Sequence, residues 1–304
     1  MNCAPRWTDD GRLDRLTDPH TVRNRFGVAV SGGYAYVPDG GSLEIIDIDP
    51  PESAYVIKSV DMPITTTGVA VSGGYAYVPY ATVFDYAGLQ IIDIDPPESA
   101  YLVKSVDTSF YATEVAVSGG YAYVADWGGG LRIIDIDPPE SAYNVKSVDM
   151  LGSARGVAVL GGYAYVADYP SGLTIVDIDP PESASIVKSV DTPNDANGVA
   201  VSGGYAYVAY FNSGLQIIDI DPPESAYIVK SVDTPGDARE VAVSGSYAYV
   251  AEGESGFQII DIDPPASASI VASIDIPVYA ENIAVSGKYA YVAGDGGLRI
   301  IKLW

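Results

Sequence analysis

Cysteine and histidine are almost absent from this chain of 304 residues, which has one of each, Cys3 and His20. A single cysteine excludes an intrachain disulfide, and so few Cys and His residues exclude a zinc cluster and a histidine-based triad along most of the chain. Cations are also scarce, with 16 lysines and arginines against 40 aspartates and glutamates, a net charge of −24. Because every phosphate contact needs a cation, we predict no nucleic-acid partner.

Long apolar runs are missing as well. No segment approaches the ~20 apolar residues of a membrane-spanning helix, and residues 1–12 lack the apolar core of a signal peptide, so we expect no membrane insertion. Hydrophobic residues still make up 48% of the chain, with 24 tyrosines against 5 phenylalanines. That content fills a large core despite the high net charge. We therefore predict one globular domain over residues 1–304, and a monomer.

One sequence motif recurs seven times and predicts the fold. Its copies begin at Val28, Val69, Val115, Val157, Val199, Val241 and Ile283. Their spacings of 41 to 46 residues are typical of propeller blades or of helical arrays. Each copy joins β-branched and aromatic residues across a glycine turn, which is Ser-Gly-Gly in four of the seven copies, as in residues 199–209. This is the pattern of a β-hairpin. Tyr205 and Tyr207 share one face of the second strand and are predicted to pack between blades.

Two further strands complete each copy. In the fifth copy, residues 215–220 form a predicted third strand that ends at Asp-Pro-Pro, where proline cannot donate to the ladder, and residues 226–232 form a fourth. Ile217 faces one side of the sheet while Ile218 and Ile220 face the other, as a blade packed between two neighbours requires. Four short strands per copy predict an all-β fold, a seven-bladed β-propeller of four-stranded antiparallel blades.

The seventh copy has three strands, and the start of the chain offers a fourth. Residues 13–19 (LDRLTDP) align with residues 187–193 (VKSVDTP), and both apolar positions and the proline match. We therefore predict that an N-terminal strand at about residues 12–17 pairs with residues 298–301. This pairing would close the ring and remove an open sheet edge.

The phrase Gly-Leu-x-Ile-Ile-Asp-Ile stands at residues 88–94, 130–136 and 214–220, and with valine for the second isoleucine at 172–178. It resembles the LVIVD repeat family, and the resemblance extends over residues 28–301. It implies a β-propeller of bacterial or archaeal origin, frequently in exported or cell-surface proteins, and so an extracellular or cell-surface location. Since the family brings no shared catalytic residue to this chain, the resemblance implies a binding or structural module rather than an enzyme.

Paired aspartates end the third strand of six copies. They are Asp47/Asp49, Asp93/Asp95, Asp135/Asp137, Asp177/Asp179, Asp219/Asp221 and Asp261/Asp263. Two carboxylates on one side of a strand, with a glutamate three residues later in five copies, could form an oxygen cage for calcium. An aspartate before Pro-Pro also forms turns by accepting backbone hydrogen bonds, and near-identical recurrence favours that role. We therefore predict structural turns, with no metal site and no cofactor.

The copies differ in the connections from strand two to three and from strand four to the next blade. Strand alternation places these connections together on one side of the ring, here called the variable-loop face, where recognition is usually located. Its aromatic rings and carboxylates suit a glycan, a peptide or an amine. The predicted ligand-binding residues on this face and at the mouth of the central channel are Tyr80, Phe84, Tyr86, Tyr111, Trp127, Tyr169, Tyr210, Phe211, Arg155, Arg239, Glu114, Glu240 and Glu281.

Two alternatives to a binding module stay open. Glu114, Glu240 and Glu281, with an arginine as electrophilic clamp, could serve a carboxylate-dependent hydrolase or lyase at the channel mouth. The close similarity of the copies also fits a recently duplicated or engineered scaffold with no specific ligand. No nucleophile elbow, phosphate loop or nucleotide fingerprint occurs in the chain. We therefore predict a non-enzymatic binding or structural role.

Overall fold

The fold comes from a computed structural model that describes residues 27–62, 66–81, 86–192 and 195–303, and the backbone of two short strands, Arg6–Trp7 and Leu13–Asp14. Seven antiparallel sheets stand as blades around a central channel. The predicted all-β, seven-bladed propeller is confirmed. In the described part of the chain, no helix is long and apolar enough to cross a membrane.

Each blade is an antiparallel meander whose first strand lines the channel. The first strands are Ala29–Ser31, Ala70–Ser72, Glu114–Ser118, Ser153–Leu160, Ala196–Ser202, Glu240–Ser244 and Tyr279–Ser286. The second strands are Tyr34–Asp39, Tyr75–Ala81, Tyr121–Ala125, Tyr163–Tyr169, Tyr205–Tyr210, Tyr247–Ala251 and Tyr289–Asp295. The third strands are Ser42–Asp47, Ala87–Asp93, Leu131–Asp135, Gly172–Asp177, Gly214–Asp219, Phe257–Asp261 and Gly297–Lys302.

Blades one to six have a fourth, outer strand, preceded by a single turn of 3₁₀ helix. The fourth strands are Tyr55–Asp61, Tyr101–Thr108, Tyr143–Val148, Ser185–Val190, Tyr227–Val232 and Ser269–Ile274. The 3₁₀ turns are Pro51–Ser53, Pro97–Ser99, Pro139–Ser141, Pro181–Ser183, Pro223–Ser225 and Pro265–Ser267. The strands predicted in the fifth copy agree with those observed to within a few residues.

The hairpin turn after strand one and the turn after strand three each depend on a specific residue type, glycine in the first and aspartate in the second. In blade five, Gly203 and Gly204 have φ of 60° and 81°, the left-handed values that a two-residue hairpin turn requires. After the third strand, Asp219 Oδ1 accepts the backbone N–H of Asp221 at 3.0 Å. The same bond recurs in all six copies, at 2.9 to 3.1 Å. The first aspartate of each pair therefore holds its own turn.

The hydrophobic core consists of seven clusters, each between two neighbouring blades. In blade five, Ile217 packs toward blade six while Ile218 and Ile220 pack toward blade four, and Tyr207 lies in the cluster with blade six. Ile217 is fully buried, which stabilises the fold by about 1.5–3 kcal/mol relative to an exposed side chain. Among the described residues every core cluster is shared by two blades, so each blade is stabilised by its neighbours.

The ring closes through contacts between blades seven and one. Tyr291 and Leu298 pack with Val28 and other residues of blade one in a shared cluster. In the described residues blade seven has three strands. Leu13–Asp14 pairs with Arg6–Trp7 and its backbone lies beside the third strand of blade seven. The other residues of the predicted closing strand, 12 and 15–17, lie outside the described residues, so closure by that strand stays a prediction.

Candidate functional site

The variable connections emerge at one end of the blades, as strand alternation requires. In blade five, strand two ends at Tyr210 and strand four at Val232, and both ends lie at the same edge of the antiparallel sheet as the start of strand three. The Ser-Gly-Gly and Asp-Pro-Pro turns lie at the opposite end. The variable-loop face includes the channel mouth, an aromatic surface on blade three and a cavity between blades six and seven.

At the channel mouth, side chains from one repeat position link successive blades. This position lies two residues before the start of each copy and carries Thr67, Thr113, Arg155, Asn197, Arg239 and Glu281. Thr113 Oγ1 donates to the Arg155 carbonyl at 2.8 Å, and Arg155 Nη1 donates to Asn197 Oδ1 at 2.7 Å. Arg239 Nη1 lies 3.7 Å from Glu281 Oε2. These contacts form a belt of polar bonds around the mouth.

Glu114 and Glu240 occupy the next position and turn toward the preceding blade. A Cβ on Gly68 would lie 2.7 Å from Glu114 Oε1, and a Cβ on Gly198 would lie similarly close to the carboxylate of Glu240. Glu114 Oε1 also accepts the N–H of Val115 at 3.2 Å. Glycine in one blade therefore makes room for the carboxylate of the next, a structural use of both groups.

The mouth encloses little space. Its cavity, which the three glutamates and two arginines predicted from the sequence all line, measures about 40 Å³. A deeper cavity of about 160 Å³ is lined by Glu114, Glu240 and the channel-facing valines. Small-molecule sites usually need roughly 300–1,000 Å³, whereas a water needs only about 10–15 Å³. The mouth as it stands has room for water rather than for a substrate.

Two of the predicted aromatic residues lie beneath the mouth arginines. The Cζ atom of Arg155 is 4.0 Å from the ring centroid of Tyr169, and that of Arg239 is 4.7 Å from the ring centroid of Phe211. Such stacking is worth about 0.5–2 kcal/mol, depending on exposure. It fixes both arginines and leaves only part of each ring accessible.

Blade three carries an exposed aromatic surface. Phe110, Tyr111 and Trp127 are 54%, 36% and 46% exposed, and the Tyr111 and Trp127 rings meet edge to face with centroids 6.3 Å apart. Trp127 has φ of 39°, in the left-handed region. Its N–H donates to the Ala154 carbonyl at 3.1 Å and its carbonyl accepts the Ala154 N–H at 3.0 Å. We call these three side chains the aromatic platform.

A buried carboxylate supports the platform. Asp126 is fully buried and accepts hydrogen bonds from Thr108 Oγ1 at 3.0 Å and from the N–H groups of Ser109 and Phe110 at 3.1 and 3.2 Å. Arg132 Nε donates to it at 3.0 Å, so the buried charge is paired. Asp126 thereby fixes the loop that presents Phe110.

In blade six the position of Asp126 is held by Glu252, and the surroundings differ. Glu252 is 1% exposed, and Gln258 Nε2 donates to its Oε2 at 2.8 Å. Its Oε1 has no hydrogen-bond partner among the described residues, and the neighbouring Thr234 hydroxyl lies outside hydrogen-bond geometry. Burial raises the pKa of Glu252, and the nearby charge of Asp237 raises it further; Thr234, Gln258 and the backbone of Gly236 only partly offset this rise.

A cavity of about 340 Å³ opens beside this carboxylate. It is larger than the two cavities of the channel mouth and lies between blades six and seven. Its lining residues are Gly236, Asp237, Glu252, Glu254, Ser255 and Tyr279. Within the described residues, no group of three or more His, Cys, Asp or Glu side chains is placed to hold a metal ion.

Two of the predicted ligand-binding residues are buried. Tyr80 and Tyr210 are 5% and 0% exposed; Tyr210 packs in the cluster between blades four and five, and Tyr80 donates to Asp107 Oδ1 at 3.1 Å. Both occupy the repeat position of Asp126, whose side chain points inward. Tyr86 is 70% exposed, and its role in ligand binding stays a prediction. Phe84 lies outside the described residues.

Sequence reasoning missed the partners of the buried acids. Asp126 with Arg132, Asp168 with Thr174, and Glu252 with Gln258 are each separated by six residues and bonded across strands two and three. The aligned repeats contain this spacing, which could have identified the pairs. Thr113 in the mouth and Tyr279 in the cavity were also missed.

Comparisons with known proteins identify the repeat and the fold. The family model described as LVIVD repeat matches residues 24–61, 65–108, 111–149, 151–192, 193–234, 235–276 and 278–302. Among proteins with curated descriptions, none matches the chain.

Solved structures share the architecture at low sequence identity. A structure of the mitotic checkpoint complex contains a chain with a TM-score of 0.76 and 12% identity, covering all of this chain and 97% of that chain. BamB from Moraxella catarrhalis has a TM-score of 0.64 and 14% identity, covering 93% of this chain and 84% of BamB. The computationally designed Ika8 protein has a TM-score of 0.63 and 9% identity, covering 95% and 99%. At such identities the likeness concerns the fold alone.

Proposed function

This chain belongs to the LVIVD repeat family, and on that premise we propose that it is a non-enzymatic binding module that recognises its ligand on the variable-loop face. The ligand contacts the aromatic platform of blade three first. Flat, half-exposed rings held in a fixed arrangement suit the apolar face of a sugar ring or an apolar or cationic group of a peptide.

The observation that carries the proposal is the backbone of Trp127. A non-glycine residue at positive φ costs about 1–2 kcal/mol, and a bulky side chain at φ of 39° is rarely found there. Such strain persists where the surrounding structure holds it, and it clusters at functional sites. Here the paired bonds to Ala154 hold the loop, and the result is an indole presented to solvent beside Tyr111.

The channel mouth supports a non-enzymatic role. Its carboxylates are engaged with neighbouring blades, as Glu281 is with Arg239 at 3.7 Å, and its cavity of about 40 Å³ is small for a substrate. Membership of a family frequent in exported proteins supports an extracellular or cell-surface location. We propose that the mouth is structural and that the outer loops bind the ligand.

The test is a screen of the full chain on a glycan array and a panel of peptides. Each hit is measured again with Trp127→Ala and with Tyr227→Ala, which removes a comparably exposed aromatic ring from the outer strand of blade five. We expect Trp127→Ala to weaken binding at least tenfold, as loss of a stacking aromatic does at recognition sites, and Tyr227→Ala to leave it unchanged. Hits that bind Trp127→Ala as well as the unaltered chain would refute the platform.

A further inference from the structure

One repeat position buries an acid in three blades, and in the part of the chain that the structure describes only one of these acids has a cation beside it. In blade three, Asp126 is paired with Arg132 at 3.0 Å. In blade four, Asp168 faces the Thr174 hydroxyl at 3.4 Å. In blade six, Glu252 faces the neutral amide of Gln258. A buried carboxylate without a cation is costly, so the environment of Glu252 differs from that of Asp126 by one missing positive charge.

No nearby group supplies that charge. The described residues show no ion pair to Glu252; Arg239 lies 3.7 Å from Glu281 and 4.0 Å from Asp237, and its guanidinium also donates to the Tyr279 hydroxyl. The other carboxylates around Glu252 add to the negative charge. Asp237 and Glu254 line the same cavity, where Glu254 is exposed at the rim.

A cavity lies beside the buried acid of blade six. Its volume of about 340 Å³ lies in the range of small-molecule sites. The Tyr279 ring forms one wall, and Gly253 makes this possible, since a Cβ there would lie 2.8 Å from Tyr279 Cζ. Glu252 is among the residues that line this space, and its Oε1 is buried without a hydrogen-bond partner among the described residues, so a cation in the cavity can supply the missing charge.

We propose that this cavity binds a protonated primary amine, an alkylammonium such as a lysine side chain or a small amine, with Glu252 as its buried counter-ion. Since Oε2 of Glu252 is taken by Gln258, one oxygen remains, which suits a compact ammonium better than the two-pronged fork of a guanidinium. Asp237, Glu254 and Ser255 provide acceptors for the remaining N–H groups, and the Tyr279 ring contacts the methylenes. The proposal rests on the proposed function in one respect, that this face binds ligands.

The experiment is a calorimetric titration of the full chain with n-butylammonium. n-Butanol serves as the neutral analogue, and guanidinium and calcium chloride as alternative cations. The variants are Glu252→Gln, which removes the buried charge, and Glu254→Gln, which alters only the exposed rim. The matched control is Glu182→Gln, which removes one charge from an exposed turn on the opposite face. Thermal melts verify that each variant is folded.

We expect saturable binding of n-butylammonium with a stoichiometry of one, a loss of about tenfold or more in Glu252→Gln, a loss of severalfold or less in Glu254→Gln, and no change in Glu182→Gln. If Glu252→Gln does not fold, the Glu254→Gln and Glu182→Gln comparison decides. Equal binding by all variants, binding of n-butanol as tight as that of the amine, or binding of calcium or guanidinium in its place would overturn the proposal. The platform is tested separately by Trp127→Ala, so either proposal can fail alone.

Discussion

Blades three and six share the backbone conformation of one loop but carry different side chains on it. Trp127 and Gly253 occupy the same repeat position, with φ of 39° and 55°, and each exchanges backbone hydrogen bonds with the next blade, at Ala154 and Ala280. In blade three the side chain at this position extends into solvent. In blade six its absence leaves room for the Tyr279 ring, which lines a cavity.

The same two blades differ again one residue earlier. Blade three neutralises its buried acid internally with Arg132, whereas blade six leaves Glu252 facing a neutral glutamine. A few side-chain differences on a shared framework therefore distinguish an exposed aromatic surface in blade three from an anionic cavity beside blade six. The repeat determines where the backbone lies, and the identity of a few side chains determines what each blade can contact.

Removing the internal cation of blade three should have the largest effect on stability. Arg132→Gln makes the pair resemble that of blade six and leaves Asp126 buried with only neutral donors. We expect the free energy of unfolding to fall by about 1.5–3 kcal/mol. Urea denaturation measures it, with Lys288→Gln, an exposed change of the same charge, expected to stay within about 0.5 kcal/mol. Equal effects of the two variants would contradict the importance of the pair.

Giving blade six the acid–base pair of blade three should weaken the binding of n-butylammonium. Glu252→Asp combined with Gln258→Arg transplants the blade three pair, and the shorter acid compensates for the longer base. We expect a folded protein whose affinity for n-butylammonium falls about tenfold or more, because the cation is now internal. Calorimetry measures the affinity, and Glu252→Asp alone, which keeps the charge, is the control. Undiminished binding by the double variant would show that the missing internal cation does not explain the binding of the amine in blade six.

Glycine and alanine should rank oppositely to their usual order at the Trp127 position. Trp127→Gly relieves the left-handed backbone, whereas Trp127→Ala retains a Cβ there, so we expect the glycine variant to be more stable by about 1 kcal/mol. Thermal and urea denaturation compare the two. In blade six, Gly253→Ala should destabilise the protein by at least as much, since it adds both strain and a contact with Tyr279. An alanine variant more stable than the glycine variant would show that the φ of Trp127 is not costly.

The smallest expected effect concerns pH. Burial raises the pKa of Asp168 above its ordinary value of 3.8, opposed by bonds from Gly152 and Thr174. The native state then holds this proton at pH values where the unfolded chain has released it, so this carboxyl contributes less stability as the pH rises from about 4 through the raised native pKa. Asp168→Asn lacks the titration. We expect its free energy of unfolding to rise relative to the unaltered chain over that interval; urea curves measured from pH 4 to 8 that stay parallel would contradict this.

The fold could be predicted where local sequence within each repeat determines the structure. Ser-Gly-Gly, Asp-Pro-Pro and the alternating apolar residues each specify a turn or a buried face from local sequence, and Ile217 and Ile218 pack on opposite sides as alternation requires. Closure of the ring by the N-terminal strand depends on a long-range pairing. Alignment of residues 13–19 predicts that pairing, and the described residues leave it untested.

Site prediction was weaker because aromatic character does not reveal which way a loop residue points. Tyr210 and Trp127 are adjacent positions in the aligned repeats, yet one is fully buried and the other half exposed. Alternation fails where a strand ends, and the orientation then depends on hydrogen bonds such as those that fix Trp127 to Ala154. The internal alignment could still have helped, since Tyr80 and Tyr210 share their position with the acids Asp126 and Glu252.

The sharing of each core cluster by two blades also bears on how such a chain can evolve. Each blade shares its apolar side chains with two neighbours, so gain or loss of one unit of about 42 residues adds or removes one blade and one interface while the others keep their composition. Unequal recombination between near-identical repeats can therefore change the circumference of the ring in whole steps. Point mutation changes the loops one blade at a time, so the number of blades and the binding specificity change through separate genetic events.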